Sequence, residues 1–231
     1  MADVTPAILP KNYEELKNKS ALLRKLATRV QIDICDGAFV PNRTWPFTSG
    51  AELDAHFLGI LNEEEGLPFW EEMDFELDLM ASDCLENFDA YAKLGASSLI
   101  FHLGAIGDIG EFRDFLEGMD PYLRDNMQIG VALDLDFLPE DFFPLCNCVD
   151  FAQVMGIGRI GYQGEKFDDR CLEYVRALRE KFSDLPIAVD GGVTLENAPD
   201  ILSAGADRLV IGSALFNADD IIGRLEDFRS L

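Results

Sequence analysis

The stretch IAVDGGVTLENAPDILSAGADRLVIGSALF (187–216) decides the fold reading. Ile187 to Asp190 is a short apolar run of strand type, and Gly191-Gly192 follows at once, where a side chain would block an approach to the backbone. Leu195 to Ala204 has helical spacing, Gly205 suits a left-handed helix end, and Leu209 to Ile211 is a second apolar strand ending in Gly212-Ser213. A helix is expected from Asn217 to Arg229. Two such strand ends side by side, each leaving backbone N–H groups free, form a pocket for an anion such as phosphate. One glycine site alone reads as a tight turn; both together, followed by a helix, favour phosphate. Asp190, at the lip of the first strand, would sit beside whatever the phosphate carries.

The same rhythm runs outward through the chain. Strands are expected at Val4 to Leu9, Val30 to Ile34, Phe75 to Met80, Leu99 to His102, Ile129 to Leu133 and Phe151 to Met155. Helical patterns cover Tyr13 to Leu26, Ala51 to Leu61, Leu85 to Leu94, Pro139 to Leu145 and Asp169 to Phe182. The segments KLGASSLIFHLGA (93–105) and SAGADRLVIGSA (203–214) echo each other, each passing through Gly-Ala into an apolar strand and then to small residues. Eight strands interleaved with helices predict an α/β protein, a single closed (β/α)8 barrel domain spanning residues 1–231. An open doubly wound sheet fits less well, because no glycine-rich dinucleotide loop follows the first strand.

Composition narrows the partners. The formal net charge of −24 argues against nucleic acid and against an anionic membrane surface, and no apolar run is long enough to span a membrane. An anionic substrate would be drawn only locally, by backbone N–H groups and helix ends. The start of the chain lacks the pattern of a signal peptide, and five scattered cysteines suggest reduced thiols, so a cytoplasmic protein is expected. Cys146 and Cys148 are too close for a usual zinc pair and read as core residues.

In such a barrel the C-terminal ends of the strands build the site, so Gln31, Asp33, Asp78, His102 and Asp190 stand out. Buried carboxylates need a proton, a metal or a hydrogen-bond partner. Asp33 and Asp190 are expected near opposite walls of the barrel mouth, where two carboxylates across a small substrate suit proton removal on one face and return on the other. The loop GIGRIGYQG (156–164) either closes over a phosphate or is simply mobile, and Arg159 in it either meets the anion or is solvated.

VQIDICDGAFVPN (30–42), FELDLM (75–80), GYQGEKF (161–167), AVDGGV (188–193) and AGADRLVIGSALF (204–216) resemble ribulose-phosphate 3-epimerase in matching order, and VTPAIL (4–9) also fits. The resemblance covers nearly the whole chain. It implies a ribulose-phosphate-binding TIM barrel, commonly a homo-oligomer, that interconverts ribulose 5-phosphate and xylulose 5-phosphate by two-base proton transfer at C3. The family's two catalytic aspartates fall on Asp33 and Asp190, and they also hold a divalent metal together with two histidines. Those histidine positions match Gln31 and Asp78, so both imidazoles are replaced. A serine near the end of the first strand matches Ala7. Met80 and Met155 match methionines of the family's pocket. The phosphate grip falls on Gly191, Gly192, Gly212 and Ser213, with Gly161, Tyr162, Gln163 and Gly164 supplying the loop. Asp33, Asp78, Asp190 and Gln31 form an all-oxygen set that favours magnesium or manganese over zinc. Two versions stay open: an epimerase with a different metal, or a barrel that has lost the metal and turnover and only binds a small phosphorylated sugar. FELDLMASD (75–83) has no lysine, which sets the chain apart from related barrels that decarboxylate or condense phosphosugars.

Overall fold

The computed structural model describes residues 2–49 and 53–231. From the N-terminus, β1 (Asp3–Ile8), α1 (Tyr13–Leu23), β2 (Arg29–Cys35), α2 (Ala55–Leu61), β3 (Asp74–Met80), α3 (Phe88–Ala92) and β4 (Ser98–His102) alternate. Three helices follow, α4 (Leu103–Ile106), α5 (Ile109–Glu117) and α6 (Pro121–Asn126), before β5 (Gln128–Leu133). Then come α7 (Pro139–Phe142), β6 (Phe151–Met155), α8 (Arg170–Lys181), β7 (Ile187–Asp190), α9 (Ala198–Ala204), β8 (Arg208–Ile211), α10 (Ser213–Phe216) and α11 (Ile221–Arg229). The eight strands are parallel and close into a barrel in sequence order, with β1 meeting β8 from Asp3 opposite Arg208 to Pro6 opposite Ile211.

Strand alternation assigns the two faces. Ile32, Leu77, Leu99, Ile129, Val189 and Leu209 point outward and share one core with helix residues such as Leu16, Phe112, Val175, Ile201 and Phe228. The inward residues form small separate clusters, Ala7 with Ala188 and Val210, and Ile100 with Ala132, Phe151 and Met155. Gly130 makes room for the last group, since a Cβ there would meet the Phe151 ring at 2.4 Å. At the N-terminal end the barrel is plugged by charge. Glu76 is fully buried, Arg208 Nη1 donates to its Oε2 at 2.9 Å, and Arg29 Nε lies 4.0 Å away. The Phe151 ring lies 4.7 Å from the Arg208 guanidinium.

Part of the acidic excess has a local purpose. Asp54, Asp108, Asp120 and Asp220 each cap the helix that follows, accepting from its first free N–H groups. The echo between 93–105 and 203–214 is structural too, because β4 and β8 each pass directly into a four-residue helix.

The structure departs from the sequence reading in several connections. The helix expected from Asn217 starts only at Ile221, behind its Asp220 cap, and a separate α10 opens directly after Gly212. The first residues expected in α9 form a turn in which Asn197 Oδ1 accepts from Thr194 N–H (2.8 Å). Helix is confined to Phe88–Ala92 within the 85–94 pattern. Residues 51 and 52 of the expected helix 51–61 lie outside the described residues, and the helix begins at Ala55 behind Asp54. Helices α5 and α6 had no sequence counterpart, although Asp108 and the Asp120-Pro121 pair are start signals for them.

Removing one partner from the buried floor pair should be costly. In urea unfolding, Arg208→Met is expected to lose about 3 kcal/mol by stranding Glu76, while Glu76→Leu combined with Arg208→Met recovers most of it. An equal loss in single and double variants would show that packing, not charge pairing, governs the floor.

Candidate active site

Period-two alternation turns Gln31, Asp33 and Cys35 of β2, Asp78 and Met80 of β3, and Asp190 of β7 toward the barrel interior. The β2–β3 register sets Asp33 directly opposite Asp78. One carboxylate oxygen from each of Asp33, Asp78 and Asp190 falls within 4.8 Å of the other two. Gln31 lies beneath them, and its Nε2 donates to Asp33 Oδ1 at 2.9 Å and to Asp190 Oδ2 at 2.7 Å. The two aspartates come from strands separated by β1 and β8 around the closed ring. The barrel is narrow enough for a single amide to reach both.

Asp78 is held from the other side. His102, fully buried at the end of β4, places Nε2 2.8 Å from Asp78 Oδ1 and Nδ1 2.9 Å from Asp134 Oδ1. Burial pushes the imidazole down, but the carboxylates of Asp78 and Asp134 outweigh it and hold His102 well above the usual histidine range. Burial, and then the nearby Asp190 and Asp78, raise Asp33 well above the usual carboxylate range. Burial, reinforced by Asp78, pushes Asp190 up to about 7. Near neutrality Asp33 and Asp190 therefore share protons rather than both ionising.

The mouth's other end is built by glycines. Gly191 and Gly192 have φ of +102° and +67°; a Cβ would meet Ile157 at the first and the Phe167 backbone at the second, both at 2.8 Å. Asn197 Nδ2 donates to Gly192 O (3.0 Å) and fixes that turn. Among the described residues, the N–H groups of Gly192 and Ser213 have no backbone acceptor. Gly191, Gly192, Gly212 and Ser213 line one cavity with Asp33, Asp78 and Asp190. Met80 and Met155 form part of its wall, and residues Gly161 to Gly164 lie along its edge. Gln163 Nε2 donates to Ala7 O at 3.1 Å, so the loop's side chain reaches across to β1. Arg159 is not brought to the glycines; its guanidinium lies 3.9 Å from the Tyr162 ring centroid.

The carboxylates suit a metal ion. Among the described residues, Gln31 Oε1 and Asp78 Oδ2 are buried without a hydrogen-bond partner, and together with Asp33 and Asp190 they offer oxygen ligand atoms. A divalent cation among these closely spaced carboxylates would relieve their mutual repulsion. Hard, oxygen-preferring ions fit that donor set.

Residues beyond the strand-end aspartates complete the site. Asp134, just past β5, and Gln153 of β6, whose Nε2 lies 3.4 Å from Asp190 Oδ2, were not singled out, although a polar residue in or directly after an apolar strand is the signal that marked Gln31 and Asp190. The segment CDGAFVPN (35–42) acts as a clamp. Asp36 accepts from the N–H groups of Ala38, Phe39 and Ser82 and from the Ser82 hydroxyl, at 2.7–2.8 Å. Asn42 Nδ2 donates to Gly161 O at 2.7 Å, tying the loop after β2 to the loop after β6.

A closed parallel barrel with its polar residues at the strands' C-terminal ends places the chain in the TIM-barrel class. Solved structures of that class match its whole length: KGPDC from Streptococcus mutans at TM-score 0.69 and 13% identity (100% of this chain, 97% of that one), and 3-hexulose-6-phosphate synthase from Salmonella typhimurium at 0.65 and 15% (100% and 97%). At such identities they speak for the fold alone. The model of the ribulose-phosphate 3-epimerase family matches residues 3–216. The chain is 30% identical to the cytoplasmic isoform of ribulose-phosphate 3-epimerase from Oryza sativa subsp. japonica, over 94% of this chain and 88% of the relative. It is 27% identical to the ribulose-phosphate 3-epimerase of Bacillus subtilis (strain 168), over 99% of each. The chain belongs to the ribulose-phosphate 3-epimerase family.

The raised Asp190 makes a stability prediction. Between pH 3.8, its ordinary value, and about 7, the folded chain holds a proton that the unfolded chain has released. Its contribution is therefore most favourable below that window and is lost as pH rises through it. In chelator, wild type should lose stability relative to Asp190→Asn over this range in urea titrations. A difference that stays flat would show Asp190 ionised throughout.

Proposed function

We propose that the chain is a 3-epimerase of ketopentose 5-phosphates, interconverting ribulose 5-phosphate and xylulose 5-phosphate. The observation that carries this reading is one cavity holding Asp33 and Asp190, joined through Gln31, together with the free N–H groups of Gly192 and Ser213. The C3–H bond of such a sugar is acidified by the neighbouring ketone. One aspartate, ionised, removes that proton; the other, protonated, returns one to the opposite face of the planar enediolate. A pair that shares protons near neutrality supplies a base and an acid at once, whichever epimer binds. The phosphate lies on the N–H groups at Gly192, Gly212 and Ser213, with the Gly161–Gly164 loop over it, and Met80 and Met155 flank the carbon chain.

Gln31, Asp33, Asp78 and Asp190 would hold magnesium or manganese, which would polarise the ketone and offset the enediolate charge. His102, fixed by Asp134, aims Asp78 at that centre. A barrel that has lost the metal and turnover and only binds the sugar remains the competing reading. The family likeness also supports a cytoplasmic homo-oligomer, which sedimentation would test.

Asp33→Asn and Asp190→Asn, made separately, should each lower kcat on ribulose 5-phosphate by at least about a hundredfold. In D2O, wild type should incorporate deuterium at C3. Binding without such exchange would support the non-catalytic reading, and turnover surviving either substitution would remove the two-base scheme. Chelator should suppress turnover and manganese restore it; stoichiometric zinc in the purified protein would contradict the oxygen-donor assignment.

A further inference from the structure

We infer that Arg224 is a phosphate-binding residue, the side-chain cation of a grip otherwise made of backbone N–H groups; the inference rests on the reading of Gly192 and Ser213 as the phosphate site. A second cavity of about 320 Å³ shares Gly164, Gly192 and Ser213 with the catalytic cavity and continues outward from it. Arg224, projecting from α11, lines this outer cavity, and no Lys or Arg lines the catalytic one among the described residues.

The guanidinium is placed but not neutralised. Its Nη1 donates to Ala214 O at 3.3 Å, the carbonyl one residue beyond Ser213. No carboxylate lies within 4.0 Å of it among the described residues, although the chain carries 43 acidic residues against 19 Lys and Arg. The acids nearby include Glu196, close enough to feel Arg224, Glu165 on the cavity rim, and Asp220, one turn earlier at the N-cap of α11, whose carboxylate is held by the Gly223 N–H. In a protein this acidic, an arginine left free beside a ring of open N–H groups is complementary to an anion that supplies the missing partner. A phosphate seated on Gly192 and Ser213 would turn its outer oxygens toward this cavity. The guanidinium would then lower the local repulsion that a −24 chain presents to a dianionic substrate.

The test compares wild type, Arg224→Gln, Arg224→Lys and, as a control of equal charge change, Arg176→Gln on the exposed face of α8. Two readouts are taken on the metal-loaded protein: kcat and KM for ribulose 5-phosphate, and the Kd for inorganic phosphate by calorimetry. Arg224→Gln should raise KM and the phosphate Kd together by about tenfold with kcat within about twofold, as expected for a part-exposed charge-assisted contact. Arg224→Lys should recover part of the loss, and Arg176→Gln should move neither constant. Unchanged constants in Arg224→Gln, an equal effect from Arg176→Gln, or no phosphate binding by wild type would overturn the assignment. If wild type binds phosphate without epimerising, the epimerase reading fails while the phosphate titration still decides the role of Arg224.

Discussion

Three carboxylates within 4.8 Å of one another inside a closed barrel are the constraint on which the site depends. Isolated in a low-dielectric interior they would repel strongly, so everything around them answers that charge. Gln31 donates to two of them, His102 donates to the third with Asp134 behind it, and Gln153 approaches Asp190 from the far side. What remains is a set of unpartnered oxygens and raised carboxyl groups, the condition for a shared proton and for a bound cation.

Gln31 and Asp78, which the resemblance sets at the family's histidine positions, acquire a local logic in this arrangement. An additional carboxylate at 78 increases the negative charge, and the buried His102 beside it supplies an answer from the neighbouring strand. Charge that imidazole ligands would leave out is thus balanced one layer further from the centre. Polar side chains, rather than apolar packing, fill this level of the barrel, as the Glu76–Arg208 pair does at the floor.

The acid cluster is useful only because loops far apart in sequence are tied around it. Asp36 joins the turn after β2 to Ser82 after β3, and Asn42 joins the same turn to Gly161. Gln163 then reaches back to β1. The motif around residues 33–42 accordingly carries one aspartate of the buried cluster and a clamp that shapes the wall of the cavity. That dual role explains why so many consecutive positions in it read as a single recognisable unit.

The strand pattern, the glycines at 191–192 and 212, and the polar residues placed where strands end were legible in the sequence, because alternation and backbone freedom are local properties of a chain. Asp33 and Asp190 could be singled out for the same reason: a carboxylate inside an apolar strand is conspicuous wherever the strand goes. The helices after β4 were missed because each is short, four to nine residues, although the pattern of Ile109, Phe112 and Leu116 and the caps Asp108 and Asp120 did mark two of them. The roles of Asp134, Gln153, Asn42 and His102 belonged to the tertiary structure alone. Closure of the barrel brings Asp33 of β2 and Asp190 of β7 to one glutamine amide nitrogen, and sets an imidazole between carboxylates from β3 and the loop after β5. Local pattern decides which residues face inward; only closure decides which of them meet, since those distances depend on how eight strands wrap around a common axis.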